Sequence, residues 1–343
     1  MATYKESGVD IDAGNESVRR IKGLVKQTFD KNVLTGLGTF GSLYSLQALK
    51  DYQDPVLVQS IDGVGTKLKV ASLMHKYDTV GIDIVSHSAN DILCQGAKPL
   101  TFLDYIAANK ISPDQIEEIL KGMVQGCLEA GMALVGGETA EMPAVYVEGE
   151  YDIAGTVTGV VERAKVITGA SIKPGDKVLG LSSNGLHTNG YSLARHVLFK
   201  LKQHKVTDPV PGLKENLGEA LLRPHRCYSK PVLQLLEQFE VKGIAHITGG
   251  GLVENPVRIL PDNCVIKINK ASFPVLPIFQ FIQSEGNVPE DDMYRSFNMG
   301  IGLVLVVDAK QEQEIKQALE KLIDYSVYSI GEVVSGEKKV ELI

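Results

Sequence analysis

Asp62 and Lys67 bracket the segment DGVGTK, which follows the apolar run Val56–Ile61 and so places a carboxylate, two glycines, a hydroxyl and an ammonium at the end of an expected strand. An acid beside a lysine can hold a metal and a phosphate together, while Gly63 and Gly65 let backbone N–H groups approach an anion beside the Thr66 hydroxyl. The order is not the GxxxxGK[ST] of the common phosphate loop, because here the acid comes first. For the hexapeptide alone, a strand followed by a solvated glycine turn is an equal reading.

Two more segments of the first half bring acids beside small residues: Asn90 and Asp91 in SHSANDIL, and Gly137 with Glu138 in GGETAEMP. Magnesium takes oxygen ligands and keeps several waters, so carboxylates from Asp62, Asp91 and Glu138 together with nucleotide phosphates would form a magnesium and ATP site. Taken singly, the Asn90–Asp91 pair reads better as a helix cap. In the second half, SNGLHTNGYSL sets His187, Asn189 and Gly190 just before an expected helix, and HITGGGLVEN sets His246, Thr248 and Gly249, Gly250 and Gly251 in a similar place. Backbone amides at a helix start bind phosphate, and three glycines in a row favour close backbone approach to a ligand. Lys22 is a further nucleotide-site candidate, with a solvated lysine as the simpler reading, and Arg258 reads as a surface arginine. His75, His87, His196, His204 and His225 show no HxH or HExxH spacing, and no GxSxG or Cys-His signature points to acyl transfer.

Alternating strand and helix patterns position these segments, which predicts an α/β fold. A helix over Asn15–Phe29, with Val18, Ile21, Leu24, Val25 and Phe29 on one face, leads into the flexible segment Gly36–Gly41. Strands are expected to end at Ile61 and to span Met132–Val135 and Tyr151–Val161, which makes DGVGTK and GGETAEMP glycine turns just past strands. The clearest helix is Pro113–Ala130, with Ser112 as its cap, Gly131 as its stop, and an apolar stripe of Ile116, Ile119, Leu120, Met123, Val124, Cys127 and Leu128. A polar stretch near Glu162–Asp176 divides the halves. After it come expected strands at Lys177–Ser182, Ile244–Ile247, Cys264–Ile268, Ile301–Val307 and Val327–Val334, and helices from Tyr191 and around Val232–Phe239, Phe273–Glu285 and Gln311–Ile323.

A chain of 343 residues suggests two domains that each bury their own core. The net charge of −7 argues against a general binder of nucleic acid or anionic membrane and favours a small-molecule ligand. Four separated cysteines without a CxxC pair give neither a zinc framework nor a secreted disulfide pattern. No apolar run approaches the ~18 residues of a membrane span, and the opening residues show no signal-peptide core, so a cytoplasmic address is expected.

DGVGTK, the Asn90–Asp91 pair, GGETAEMP, GLHTNGYSLAR, HITGGGLVEN and MYRSFNMGIG, in this order and over nearly the whole chain, resemble the phosphoribosylformylglycinamidine cyclo-ligases, or aminoimidazole ribonucleotide synthetases. The opening YKESGVDIDAGNESVRRIKG is similar to the same family's N-terminal segment. Two departures are small: Ala144 stands where the family pattern carries Gly after EMP, and Thr188 where it carries Ser. The resemblance implies ATP-dependent closure of formylglycinamidine ribonucleotide to aminoimidazole ribonucleotide, with release of ADP and phosphate, in purine synthesis. It further implies a homodimer pairing through β-structure of an N-terminal ATP- and metal-binding domain (residues 1–168), a C-terminal substrate-binding domain (residues 169–343), and ATP and substrate at the domain cleft.

By motif, the resemblance gives magnesium to Asp62, Asp91 and Glu138, directly or through water, and nucleotide contacts to Asn90 with Gly63, Gly65, Thr66 and Gly137. Lys67 would stabilise phosphate charge, and Gly38 and Gly41 would lie in a segment closing over ATP. His187, Asn189, Gly190, His246, Thr248 and Gly249–Gly251 would orient substrate. Asp62, Lys67, Asp91 and His187 are the expected catalytic residues. The alternatives are another member of the same ATP-using superfamily, such as a small-molecule kinase, and a non-catalytic nucleotide-binding regulator.

Overall fold

The computed structural model describes residue 8 and residues 10–343, and its elements gather into a first unit that runs to Ala164 and a second that takes Leu93–Ala97 and Lys165–Ile343. The segment Tyr4–Gly23 therefore lies in part outside the described residues. The first unit comprises α1 (Ile11–Val25), β1 (Pro55–Gly63), α2 (Leu68–Met74), α3 (Asp78–Leu93), β2 (Lys98–Ala108), α4 (Pro113–Ala130), β3 (Ala133–Glu141) and β4 (Tyr151–Glu162). Its strands form one sheet in the order β1-β4-β2-β3, with β2 and β3 parallel and the other pairs antiparallel.

Side chains alternate between sheet faces with period two, and that parity places the acids. Phe102, Ile106, Ile153 and Val157 are buried on one face, whereas Leu57, Ile61, Leu103 and Tyr105 are exposed on the other. Gly155 leaves room for Phe102, whose ring would meet a Cβ there at 2.1 Å. α3 packs on the buried face, with Ile92 against Gly159, and it packs equally closely on α4. A Cβ on Gly122 would lie 1.8 Å from the Asp78 carbonyl oxygen, and one on Gly81 would lie 2.0 Å from that of Ile119. The two helix backbones touch where neither has a side chain.

Several expectations change. β1 continues through Asp62 and Gly63, and β3 through Gly136–Glu141, so Asp62, Gly137 and Glu138 are strand residues where turns were expected. Ladder pairing overrides the glycine content: Asp62 pairs with Gly155, and Glu138 with Tyr105. β2 carries no expectation above; a register shift between Pro99 and Thr101 accommodates its proline. α1 starts earlier than expected because Asp10 caps it, accepting from the N–H groups of Asp12 and Ala13. Val18 on α1 and Leu128 on α4 are exposed, and the α4 stripe is completed instead by Gly122, Gly126 and Ala130. Ser112 sits at the N-cap of α4 without a side-chain cap bond, while Gly131 ends the helix at φ 77° as expected.

Ala144 has φ 70°, the left-handed region in which an L side chain costs about 1–2 kcal/mol and glycine costs little. Ala144→Gly is therefore expected to stabilise the protein by about 0.5–1 kcal/mol, after the entropy glycine adds to the unfolded chain. Urea unfolding checks this; a destabilised variant would contradict it.

The second unit comprises β5 (Lys177–Ser182), α5 (Tyr191–Arg195), α6 (Leu217–Leu221), α7 (Ser229–Leu236), β6 (Gly243–His246), α8 (Gly251–Glu254), β7 (Cys264–Ile268), α9 (Pro277–Gly286), α10 (Glu290–Ser296), β8 (Ile301–Val307), α11 (Glu312–Leu322), β9 (Val327–Ser335) and β10 (Lys339–Leu342). Its sheet runs β10-β7-β9-β5-β8-β6, with β10 and β7 parallel and the rest antiparallel. Every residue of β8 is buried, as its unbroken apolar run demands. α7 and α11 bury Val232, Leu235, Ile315 and Leu319 against Leu179, Leu181, Leu303, Leu305 and Val307 of β5 and β8. The segments before α5 and α8 lie beyond the ends of β5 and β6.

Candidate active site

In the first unit, α3 repeats polar residues at helical spacing: Asp83, His87 and Asp91 are four apart and share one face. That face meets β1. His87 Nε2 lies 2.7 Å from Asp62 Oδ2 and 3.6 Å from Asp91 Oδ2, and the Ser60 hydroxyl donates to Asp91 Oδ2 at 3.2 Å. The Gly63 N–H donates to Asp62 Oδ1 at 2.7 Å. Burial works against charge on His87, but the hydrogen bond to Asp62 and the charges of Asp91, Asp62 and Asp83 outweigh it and hold the imidazole above its usual pKa. Burial likewise opposes ionisation of Asp62, yet the His87 hydrogen bond, the His87 charge and the Gly63 N–H keep it below the usual carboxylate range. Two carboxylates thus gather around one imidazole at the end of β1.

Lys67 is fully enclosed, with its Nζ 2.8 Å and 2.7 Å from the two oxygens of Asp83, which is equally enclosed. Burial lowers its pKa, against the pull of the Asp83 charge. The structure thus sets Lys67 in an internal ion pair, in place of the surface position expected for a phosphate contact. The exposed Thr66 and Gly65, at φ 72°, lie in the short turn between β1 and α2.

Glu138 is not brought to Asp62 and Asp91. Its register partner is Tyr105, so it projects from the opposite face of the sheet, while Gly137 partners Asp104 on the helix-covered side. Asn90 is wholly buried within the last turns of α3, so the cap reading does not apply. Lys22 is exposed on α1, and Gly38, at φ 101°, and Gly41 lie in an exposed loop where an added Cβ would touch nothing within 4 Å.

Asp104 completes a row Asp62–Gly155–Asp104–Gly137 across the sheet. Its carboxylate lies over Gly137, where a Cβ would come within 2.2 Å of Oδ1. Burial, reinforced by the Glu138 charge, pushes its pKa up to about 7 despite a favourable bond to its own backbone. An acid raised in the folded state loses stability as pH climbs from its unfolded value near 4 through about 7. Asp104→Asn is accordingly expected to match the parent at pH 4 and to exceed it by about 2 kcal/mol at pH 8, allowing for the solvent that reaches the group. Thermal melts across that range check the crossover; equal stability at pH 8 would contradict it.

In the second unit the loops before α5 and α8 meet. Asn189 Oδ1 lies 3.5 Å from the position of a Cβ on Gly249, and Asn255 clamps the triple-glycine loop by accepting from the Thr248 N–H at 2.8 Å and donating to the Gly249 carbonyl at 3.0 Å. Gly251, at φ 57°, has no room for a Cβ, which would lie 2.0 Å from the Tyr294 carbonyl. Asn298 accepts from Ser183 Oγ at 2.7 Å and donates to the Gly185 carbonyl at 2.9 Å, tying down the start of the other loop. His187 is a non-glycine residue at φ 61°, a strain of the kind found at functional sites. It is buried and stacks on His225 with ring centroids 4.0 Å apart, and His225 Nε2 lies 2.9 Å from His246 Nε2. His187, Asn189, Gly190, His246, Thr248 and Gly249–Gly251 are thus assembled around the paired loops.

His87 and His225 stand in neither a metal-ligand spacing nor an acyl-transfer signature in the sequence. The Asp83-His87-Asp91 repeat was a usable signal for the first; nothing in the chain around His225 marks the second. Among the described residues, no helix is long and apolar enough to cross a membrane.

Residues 47–161 match the family described as AIR synthase related protein, N-terminal domain, and residues 173–343 match its C-terminal domain. The chain is 52% identical over 337 residues to a phosphoribosylformylglycinamidine cyclo-ligase of Brevibacillus brevis, covering 98% of this chain and 97% of that one. It is 51% identical to the enzyme of the same name from Acetivibrio thermocellus, covering 100% of both. Among solved structures, a thiamine-monophosphate kinase from Stenotrophomonas maltophilia superposes with a TM-score of 0.68 at 19% identity, over 95% of each chain. A hydrogenase maturation protein HypE in complex with ATP superposes with a TM-score of 0.66 at 18% identity, over 95% of this chain and 90% of that one. These two share the fold.

Proposed function

From the premise that the chain belongs to the AIR synthase related protein family, we propose that it closes formylglycinamidine ribonucleotide to aminoimidazole ribonucleotide at the expense of ATP. The observation that carries this reading is the identity of 51–52% to named cyclo-ligases over essentially their whole length. An amide oxygen leaves poorly; phosphorylating the formamide oxygen gives an iminophosphate, whose carbon the amidine nitrogen attacks as phosphate departs. Closure is intramolecular, so the protein's task is to hold the bent substrate and to stabilise charge.

Residues 1–168 serve ATP on this reading, and residues 169–343 serve the substrate. Asp62 and Asp91, hard oxygen donors gathered at one imidazole, suit magnesium, with Asn90 and the 63–66 segment near the nucleotide. Magnesium bound there would neutralise phosphate charge. Glu138 faces the other side of the sheet and is not assigned to that ion. Lys67 holds Asp83, and with it α3, instead of meeting phosphate. The loop with Gly38 and Gly41 would close over ATP. The paired loops of the second unit would orient the substrate through His187, Asn189, His246 and the glycine amides. The exposed apolar sheet face of Leu57, Ile61, Leu103 and Tyr105 suits pairing with a second copy in a homodimer, and a biosynthetic enzyme of this kind belongs in the cytoplasm.

The test is direct. Purified protein with ATP, magnesium and formylglycinamidine ribonucleotide should yield aminoimidazole ribonucleotide and ADP in equal amounts. ATP binding without product would favour a regulator, and turnover only with a different phosphoryl acceptor would favour a kinase.

A further inference from the structure

The segment 222–228, between α6 and α7, runs beside the loop that follows β5 and grips it through its own donors. Arg226 Nη1 donates to the Ser182 carbonyl at 2.6 Å and to the Ser182 hydroxyl at 3.2 Å, and the Tyr228 hydroxyl donates to the same carbonyl at 3.0 Å. Arg223 Nη1 donates to the Asn184 carbonyl at 2.7 Å, and Asn184 Nδ2 donates back to the Pro224 carbonyl at 2.9 Å. His225 stacks on His187, and its Nδ1 lies 3.2 Å from Thr188 Oγ1. The segment is itself braced: Arg223 Nε pairs with Glu215 at 2.6 Å, the Arg226 guanidinium lies 4.0 Å over the Tyr325 ring, and the wholly buried Tyr228 meets that ring edge-on.

A backbone carbonyl carries two lone pairs and is satisfied wherever it is buried. The pairing of β5 with β9 ends at Leu181, and its pairing with β8 slips between Leu181 and Ser182. There Arg226 and Tyr228 take the acceptor that a continuing strand would offer to its neighbour, so the chain leaves the sheet. Further along the loop, His187 stands at φ 61°, a region that a residue with a Cβ keeps only where its surroundings hold it. The Tyr228 hydroxyl and His187 Cε1 share the space over Gly302, where a Cβ would lie 2.1 Å from one and 2.6 Å from the other. One short segment thus fixes both the origin of the loop and the packing of its strained residue.

We propose that Arg226 and Tyr228 are positioning residues of the substrate loop: by jointly holding the Ser182 carbonyl they set where the chain departs from β5 and keep His187 in its left-handed backbone. They act through the loop, and His187 and Asn189 are the groups they place. The service of that loop to the ribonucleotide rests on the functional reading above, whereas the hold on the loop does not. Each donor still engages the carbonyl when the other is gone, so their losses should be strongly non-additive.

Hydrogen exchange of the full-length protein tests the hold. It is read over residues 183–190, which include the Ser183 N–H bonded to the Gly300 carbonyl at 2.9 Å, with the amides of β8 as internal control. Arg226→Met and Tyr228→Phe should each speed loop exchange about threefold and together roughly thirtyfold, with β8 unchanged. In the cyclisation assay, run well below the melting temperature, the double variant should lose about tenfold in kcat/KM for the ribonucleotide while KM for ATP stays at the parent value. Arg226→Lys in the Tyr228→Phe background keeps a charged donor and should restore most of that loss. Loop exchange unchanged in the double variant, or raised by the same factor in β8, overturns the proposal, as does a freed loop that costs no activity in a protein whose parent forms aminoimidazole ribonucleotide. Should the double variant fail to fold, Tyr228→Phe decides by itself, since it removes a single oxygen: loop exchange equal to the parent's overturns the proposal. A freed loop in a protein whose parent forms no aminoimidazole ribonucleotide supports the hold and overturns the functional reading alone.

Discussion

Lys67→Met should cost about 3–5 kcal/mol of folding stability, because it strips the partner from a wholly enclosed carboxylate. Lys67 and Asp83 show no exposed side-chain surface, so water cannot replace the lost ammonium, and Asp83 must either take up a proton or draw water into the core. Removing both charges at once should cost far less, since an apolar pair of similar volume avoids the desolvation that the ion pair itself carries. Lys67→Met with Asp83→Leu is therefore expected to regain most of the loss. Urea unfolding of the two single variants and the double variant gives the coupling directly. A Lys67→Met protein within about 1 kcal/mol of the parent would mean that the pair is not the anchor of α3.

Asp62→Asn should lower the rate of cyclisation by at least about a hundredfold while leaving the fold intact. The change is isosteric, and the side chain is 43% exposed, so little packing is at stake. What goes is charge: the carboxylate that His87 faces at 2.7 Å becomes a neutral amide, and the oxygen best placed for magnesium becomes a weaker donor. The magnesium concentration for half-maximal activity should rise alongside the loss in kcat. Rates measured over a magnesium titration, with a thermal melt as the folding control, decide the matter. A fully active Asp62→Asn protein would remove Asp62 from the metal site.

Much of the molecule was legible from the chain. Periodicity located α4, β5, β7, β8 and β9 because each carries a strong apolar repeat or run that tertiary contacts only reinforce. The glycine segments were harder. GGETAE looks like a turn on composition, but pairing to β2 makes it strand, and the parity of that pairing sends Glu138 away from Asp62. No local pattern carries a strand's partner or register. The surroundings of Lys67 were hidden for a related reason: an ammonium beside glycines looks solvated, and only the fold reveals Asp83, one turn into α3, beside it. The loops of the second unit were recognised by type, whereas His225 enters through contacts 37 and 21 residues away in the chain.

The bare crossing of α3 and α4 makes the acids at the end of β1 hostage to residues with no chemistry of their own. Gly122 and Gly81 set how deep α3 sits, and His87 and Asp91 inherit that depth along a rigid rod. A methyl group at Gly122, where 1.8 Å separates its would-be carbon from the Asp78 oxygen, would lift the rod and shift the imidazole relative to Asp62. Mutational tolerance in this protein should accordingly follow the helix crossing as strictly as it follows the ionisable groups: a position that touches no reactant governs whether two carboxylates face one ring.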